Sequence, residues 1–135
     1  MVYCTVEDVL NLTRTKPKQF GFKGENAEEE FNKLIEDWIL QSESHINNYC
    51  RRNWYNYINE DDGEEITVVV PPAIKNVCIR LTANIISFSF GRRDNPLKKV
   101  DDWNTGVITS TVFTDDLKED LKAFRKPRKT HVFKI

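Results

Sequence analysis

Residues 26–50, NAEEEFNKLIEDWILQSESHINNYC, decide the fold of this chain. Apolar side chains recur there at the i, i+3, i+4, i+7 spacing of an α-helix, with charged and amide side chains on the opposite side. The apolar positions are Phe31, Leu34, Ile35, Trp38, Ile39, Ile46, Tyr49 and Cys50. The pattern predicts one helix of roughly 25 residues that packs along its whole length. Arg51 and Arg52 are expected in its last turn, where cations complement the exposed carbonyls.

A second long helix is predicted over 73–90. It begins after Pro71 and Pro72, because proline is favoured in the first turn of a helix. Its apolar residues form two stripes. One stripe consists of Ile74, Val77, Cys78, Leu81, Ile85 and Phe88, and the other of Ile79, Ala83, Ile86 and Phe90. We expect burial on two sides, the second side facing another element of the same chain or another copy of it.

Shorter elements complete a mainly α fold. The sequence predicts a small helical bundle of about four helices, with a short β-strand or hairpin arm and an extended C-terminal tail. The shorter elements are a helix over 5–14 with a Thr5 and Asp8 capping box, a breaker-rich loop over 15–24, a strand over 66–70, an edge strand or hairpin arm over 105–113, and a last helix that begins at 115. We assign 1–124 to one helical domain and 125–135 to a C-terminal arm.

Size and charge exclude several classes of protein. With 135 residues, 39% of them hydrophobic and 30% charged, the chain is about the size of one domain. A net charge of −1 does not indicate a general nucleic-acid or membrane binder, and no apolar run approaches the ~20 residues of a membrane span. The charge is nevertheless polarised, because an acidic run over 60–65 contrasts with six basic and no acidic residues over 122–135.

The residue types that carry chemistry are few and scattered. Cys4, Cys50 and Cys78 are expected to be reduced thiols in a cytoplasmic setting. Together with His45 and His131 they form no metal-binding motif, so we expect neither a metal nor a cofactor. His45 is interpreted as a hydrogen-bonded histidine at a packing boundary, and His131 lies in a tail that is poor in partners. No nucleophile motif is present, and we expect no enzymatic activity.

Two charged segments allow two interpretations each. Residues 49–57, YCRRNWYNY, are either a stacking and phosphate-binding surface or a helix end whose arginines complement the dipole and whose aromatics close the core. We favour the second. The acidic run over 60–65 is either a solvated loop or the lining of a channel that repels DNA phosphates.

Four stretches resemble the head-to-tail connector proteins of long-tailed bacteriophages, also called adaptor or head-completion proteins. They are YCTVEDVLNLT (3–13), INNYCRRNW (46–54), PPAIKNVCIRLTANII (71–86) and TGVITSTVFTDDLKEDLKAFRKPR (105–128). The resemblance spans nearly the whole chain in order. It implies a structural virion protein that forms a ring, typically dodecameric, beneath the portal and extends the DNA channel.

The resemblance also implies partners and a location. The partners are copies of the chain itself, the portal protein, a stopper or tail-completion protein, and passing double-stranded DNA that is not bound sequence-specifically. The protein is expected at the head-tail interface of the virion after assembly in the host cytoplasm, without a membrane. The runner-up functions are a small helical nucleic-acid-binding module and a small enzyme.

Three groups of residues are assigned roles on this basis. The portal-docking arm, expected to be loosely placed in the free subunit, consists of Arg125, Lys126, Arg128, Lys129, His131, Val132, Phe133 and Ile135. The subunit interface consists of Ile79, Ile86 and Phe90. The residues that either face the channel or belong to solvated outer loops are Glu60, Asp61, Asp62, Glu64, Glu65, Asp101 and Asp102.

Overall fold

The described part of the protein is mainly helical, with one small antiparallel hairpin. A computed structural model describes residues 3–91 and 112–127, without the side chain of Phe90. The described elements are α1 (Val6–Thr13), a 3₁₀ turn (Pro17–Phe20), α2 (Ala27–Cys50), β1 (Tyr57–Ile58), β2 (Glu65–Ile66), α3 (Pro72–Gly91), α4 (Asp115–Leu121) and a second 3₁₀ turn (Lys122–Phe124). The predicted fold class is confirmed for this part of the chain; the tail from 128 onward lies outside it.

The predicted capping box begins α1. The Asp8 N–H donates to Thr5 Oγ1 at 3.1 Å, and the Thr5 N–H donates to Asp8 Oδ2 at 3.0 Å. The hydrogen bond from the Thr5 N–H holds the pKa of Asp8 below its usual value. Two donors that a helix start otherwise leaves unpaired are thus satisfied within the segment. The helix ends at Arg14, which has a left-handed φ of 57°.

Helices α2 and α3 form the centre of the core. The predicted apolar face of α2 is buried, and α3 contributes the opposing residues Ile74, Val77, Cys78, Leu81 and Ile85. Two hydroxyls meet inside this contact, with Ser42 Oγ and Thr82 Oγ1 2.9 Å apart and both side chains fully buried. Each hydroxyl also lies within hydrogen-bond distance of the carbonyl four residues earlier in its own helix. The polar pair is therefore satisfied without water.

The second side of α3 faces the same chain. Helix α3 contacts α1, α2 and α4, so its predicted burial on two sides is confirmed. Ile86 is only 2% exposed and belongs to the chain's own core, whereas Ile79 is partly buried. The assignment of Ile86 to a subunit interface is corrected, because its surface is already covered within one molecule. The side chain of Phe90 lies outside the description.

Several local expectations are also corrected. The predicted loop over 15–24 contains the 3₁₀ turn Pro17–Phe20, in which the Lys16 N–H donates to Gln19 Oε1 at 2.6 Å. The strand predicted over 66–70 ends at Ile66, because the Val68 N–H donates to the Asn56 side chain at 2.8 Å instead of to a neighbouring strand.

The predicted strand over 105–113 and the residues Asp101 and Asp102 lie outside the described ranges, apart from Val112 and Phe113. These two residues are buried and are not in a strand. The last helix begins at Asp115 as expected and packs on α3 through Leu117 and Leu121.

Aspartate at Ile86 should destabilise the fold far more than aspartate at Ile79. Ile86→Asp removes a buried apolar side chain and leaves an unpaired carboxylate in the core, which should cost about 4 kcal/mol or more of unfolding free energy. Ile79→Asp is the matched control on the same helix, and its partly exposed position should limit the loss to about 2 kcal/mol. Urea unfolding measures both losses. Equal stability of the two variants would contradict the burial of Ile86.

Candidate interaction site at the end of the second helix

The C-terminal end of α2 is where the chain brings distant basic residues together. The helix ends at Cys50, and its cap residue Arg51 has a left-handed φ of 57° and donates its N–H to the Asn47 carbonyl. This cap turns the chain away and leaves the carbonyls of Tyr49 and Cys50 without partners inside the helix. Arg51 was expected in the last turn of α2; it lies one residue beyond it, as the cap.

The first residues of the C-terminal arm donate hydrogen bonds to these two carbonyls. The Arg125 Nε–H donates to the Tyr49 carbonyl at 3.0 Å, and the Lys126 N–H donates to the Cys50 carbonyl at 2.9 Å. In return, Arg51 Nη1 donates to the Lys126 carbonyl at 3.0 Å. The Arg125 guanidinium also lies 4.5 Å from the centre of the Tyr49 ring, in cation–π contact.

We call this junction, made by Tyr49, Cys50, Arg51, Arg125 and Lys126, the arm root. The expectation that the arm is loosely placed from Arg125 onward is wrong for Arg125 and Lys126, because both are hydrogen-bonded to α2. The other predicted arm residues lie outside the described ranges: Arg128, Lys129, His131, Val132, Phe133 and Ile135.

The arm root also concentrates positive charge. Arg51 donates to the Lys126 carbonyl, about 75 positions later in the chain, and Arg52 and Arg125 both act electrostatically on the Cys50 thiol. All four are at least partly exposed, and the Arg52 guanidinium lies 4.8 Å from the centre of the Trp54 ring. We call these four side chains the basic cluster. Its position at the C-terminal end of a long helix complements the negative end of the helix dipole.

The aromatic residues of 49–57 differ in how far they are buried. Trp54 is buried and Tyr49 is partly buried, as expected for a helix end that closes the core. Tyr57 is 57% exposed and does not belong to that closure. Burial raises the pKa of the Cys50 thiol to about 11, even though Arg52 and Arg125 act in the opposite direction.

The acidic run forms the tip of the hairpin over 57–66, which we call the acidic hairpin. Its strands pair Tyr57 with Ile66 and Ile58 with Glu65. Inside the turn, the Asn59 side chain accepts the Asp61 N–H at 3.0 Å, and Gly63 adopts a left-handed φ of 71°. The five exposed carboxylates are those of Glu60, Asp61, Asp62, Glu64 and Glu65. Four of them lie in the ordered turn, and Glu65 lies in β2, opposite the exposed apolar side chain of Ile58.

A buried carboxylate ties three segments together behind the arm root. Glu43 is fully buried on α2, and it accepts the Tyr3 N–H at 2.7 Å and the Tyr55 hydroxyl at 2.9 Å. Asn47 donates to the Tyr55 hydroxyl at 3.0 Å and accepts a hydrogen bond from the Tyr3 hydroxyl. The Trp54 N–H donates to the Tyr3 hydroxyl at 2.9 Å. The segment before α1 and the segment after α2 are thereby fixed to one turn of α2.

This polar network was not predicted from the sequence, although the sequence contains one sign that Glu43 is buried. Glu43 lies four positions after Ile39 and three before Ile46, which places it on the apolar face of α2. Burial raises its pKa, while the hydrogen bonds from Tyr3 and Tyr55 partly oppose that shift. Burial and the neighbouring Glu43 also raise the pKa of Tyr55. Both carboxylate oxygens are occupied by protein donors, so the network has the geometry of a structural tie.

His45 behaves as the sequence indicated. Its Nε2 lies 3.1 Å from Gln41 Nε2, and its ring packs against Phe113. Burial lowers its pKa, which favours the neutral ring near pH 7. His45 is thus a hydrogen-bonded histidine at a packing boundary. His131 lies outside the described ranges.

Comparison with protein-family models, with curated proteins and with solved structures finds no significant match for the chain. Over residues 3–91 and 112–127, no three His, Cys, Asp or Glu side chains are grouped so that they could hold a metal ion. Within the same ranges, no helix has the length and apolar character needed to cross a membrane. The function is therefore inferred from the described contacts and from the motifs of the sequence.

Two substitutions at Glu43 should distinguish the contribution of its charge to stability from the contribution of its hydrogen bonds. Glu43→Gln keeps an acceptor for the Tyr3 N–H and a partner for the Tyr55 hydroxyl, so the fold should be retained. Glu43→Ala leaves both donors unpaired and should cost about 2–4 kcal/mol of unfolding free energy. Chemical unfolding of the two variants measures this difference.

The same pair of proteins tests the raised pKa of Glu43. A carboxyl whose pKa is higher in the folded than in the unfolded state contributes stability that is complete below its ordinary value of 4.5. That contribution disappears as the pH rises through the folded-state pKa. The stability of the native protein relative to Glu43→Gln should therefore fall as the pH rises from 4.5, and then level off. A relative stability that rises over this window would show that the folded-state pKa is lowered.

Proposed function

We propose that this chain is a connector subunit of a long-tailed bacteriophage, which assembles as a ring on the portal and extends the DNA channel towards the tail. The observation that carries the proposal is the arm root, where two of the four resembling stretches meet. Residues 46–54 (INNYCRRNW) supply the carbonyls of Tyr49 and Cys50, and the end of the fourth stretch supplies Arg125 and Lys126. Motifs far apart in sequence thus form one junction, as expected if they serve one function.

The arm root suits a docking role. An arm that binds a partner needs a fixed origin, since otherwise the pull of the partner is absorbed by a mobile chain and not transmitted to the domain. Three hydrogen bonds and one cation–π contact supply that origin at the end of the longest described helix. Downstream, the alternation of Val132, Phe133 and Ile135 suits addition of a strand to an exposed sheet edge of the portal.

The acidic hairpin suits contact with a DNA channel. Phosphate binding by proteins depends on basic side chains, so exposed carboxylates keep passing DNA from adhering. Five such groups are exposed on the acidic hairpin, four of them in its ordered turn. We propose that this hairpin faces the axis of the ring, and that the basic cluster at the arm root faces the portal.

The role proposed is structural and not catalytic. The most convergent polar set among the described residues is Glu43 with Tyr3, Asn47 and Tyr55. A general acid or base has to reach the proton that it transfers. Glu43 is fully buried and binds protein donors through both oxygens, so its geometry supports anchoring of the chain.

One observation favours the runner-up, a small helical nucleic-acid-binding module. The basic cluster gathers Arg51, Arg52, Arg125 and Lys126 on one surface, and Arg52 stacks on Trp54. Such a surface is typical of phosphate and base contacts. Titration with duplex DNA at increasing salt discriminates between the two functions, because a phosphate-binding module loses affinity steeply as salt rises. The connector proposal predicts weak binding that Arg52→Ala hardly changes.

Removal of residues 128–135 should abolish binding to the portal without unfolding the domain. The truncated chain keeps Arg125 and Lys126 and therefore the arm root, so its thermal midpoint should change little. Its affinity for the portal protein encoded in the same genome should fall at least about 100-fold, because the strand-forming residues are lost. Surface-immobilised portal rings measure this affinity.

A charge variant in the acidic hairpin supplies the matched control. Replacing Glu60, Asp61 and Asp62 by glutamine or asparagine removes three exposed charges without touching the arm. This variant should bind portal like the native chain. Undiminished portal binding by the truncated chain would show that the arm is not the docking element, and failure of the native chain to bind portal would overturn the proposed function itself.

A further inference from the structure

The fold brings two cysteines together that the sequence keeps far apart. Cys4 precedes α1 and Cys78 lies in α3, yet their sulfur atoms are 3.5 Å apart at a separation of 74 residues. Both side chains are buried and both are free thiols. Cys50, the third cysteine, is buried at the arm root and is likewise a free thiol.

The sulfur atoms of the pair are already in van der Waals contact. A disulfide bond requires sulfur atoms about 2.05 Å apart, so modest side-chain rotation would bring them together. Cys78 is held in a helix, whereas Cys4 lies in an irregular segment between Tyr3 and the cap residue Thr5. The required adjustment therefore falls mainly on Cys4, where no helical hydrogen bond has to break.

A surface groove makes one member of the pair reachable. Cys4 lines a groove of about 280 Å³ together with Thr5, Val6, Glu36, Ile39 and Leu40. Leu40 is 51% exposed at its rim, and Cys4 itself is 2% exposed. The groove adjoins Cys4 and thus offers a small oxidant such as hydrogen peroxide the shorter route to it, whereas Cys78 is fully buried in α3.

We propose that Cys4 and Cys78 form a latent disulfide, which closes when the folded protein meets a peroxide. The Cys4 thiolate attacks one peroxide oxygen, the O–O bond breaks, and a sulfenic acid and hydroxide result. The sulfur of Cys78 then attacks the sulfenic sulfur and displaces hydroxide, which leaves as water with the thiol proton of Cys78. The hydroxide of the first step takes up the proton that the Cys4 thiol released. In sum the two thiols lose two electrons, and one hydrogen peroxide is reduced to two molecules of water.

The order of the steps follows from the surroundings of the two thiols. The neighbouring Cys4 thiol and burial raise the pKa of Cys78, so Cys78 stays protonated and the first attack is left to Cys4. Closure would bond the segment before α1 to α3 and enclose all of α2 in a covalent loop. Such a loop restricts the unfolded chain and thereby stabilises the folded one.

Treatment of the reduced, folded, full-length protein with hydrogen peroxide tests the proposal. The intact mass should fall by about 2 Da, as one disulfide forms from two thiols. Peptide mapping without reductant should recover Cys4 linked to Cys78, with Cys50 still free to alkylate after unfolding. The thermal midpoint should rise by on the order of 5–10 °C, and dithiothreitol should reverse the rise.

Variants at each cysteine show which two thiols form the disulfide. Cys50→Ser should still lose the mass of two hydrogens, whereas Cys4→Ser and Cys78→Ala should not. If a variant fails to fold, peptide mapping of the oxidised native protein still identifies the two linked cysteines directly. A product with oxygen added at Cys4 and no bond to Cys78, or a bond that involves Cys50, would overturn the proposal.

Discussion

The contact between α2 and α3 is the constraint on which the rest of the structure depends. In proteins, most of the stability of a helix comes from packing its apolar face and not from the intrinsic propensity of its residues. Here each helix buries large side chains against the other, each worth about 1.5–3 kcal/mol when fully removed from water. The hydroxyls of Ser42 and Thr82 meet within this contact, and their hydrogen bonds favour one register of the helices over its neighbours. Helices α1 and α4 both pack on this pair.

Polar contacts then attach the functional segments to the helix pair. Glu43 holds the segment before α1 and the segment around Tyr55 on one turn of α2. At the end of the same helix, Arg125 and Lys126 bind the last carbonyls. In the proposed connector, force on the arm would pass through these hydrogen bonds into α2 and from there into the core. The arm root and the core are thus one mechanical unit.

Local pattern predicted the helices well, because capping and amphipathic periodicity are properties of neighbouring residues. The Thr5 and Asp8 capping box, the apolar face of α2 and the proline start of α3 each depend on residues within one segment, and all three predictions are confirmed. Periodicity shows which faces are apolar but not what covers them, and Ile86 was therefore given to a second copy although the same chain buries it. The strand over 66–70 was overestimated for a related reason, since β-branched residues need a partner strand. The Glu43 network, the arm root and the Cys4–Cys78 pair each join residues some 40 to 76 positions apart. Local pattern can place Glu43 on an apolar face, but it does not indicate which distant residues meet.

The proposed function requires that the chain forms a ring on the portal, and one experiment tests this directly. Electron cryo-microscopy of the chain mixed with portal rings from the same genome should show a closed ring of copies on the portal axis. In that ring the arm root should face the portal, and the acidic hairpin should line the central passage. Portal rings without added density, or acidic hairpins on the outer rim and copies bound along DNA instead, would contradict the account.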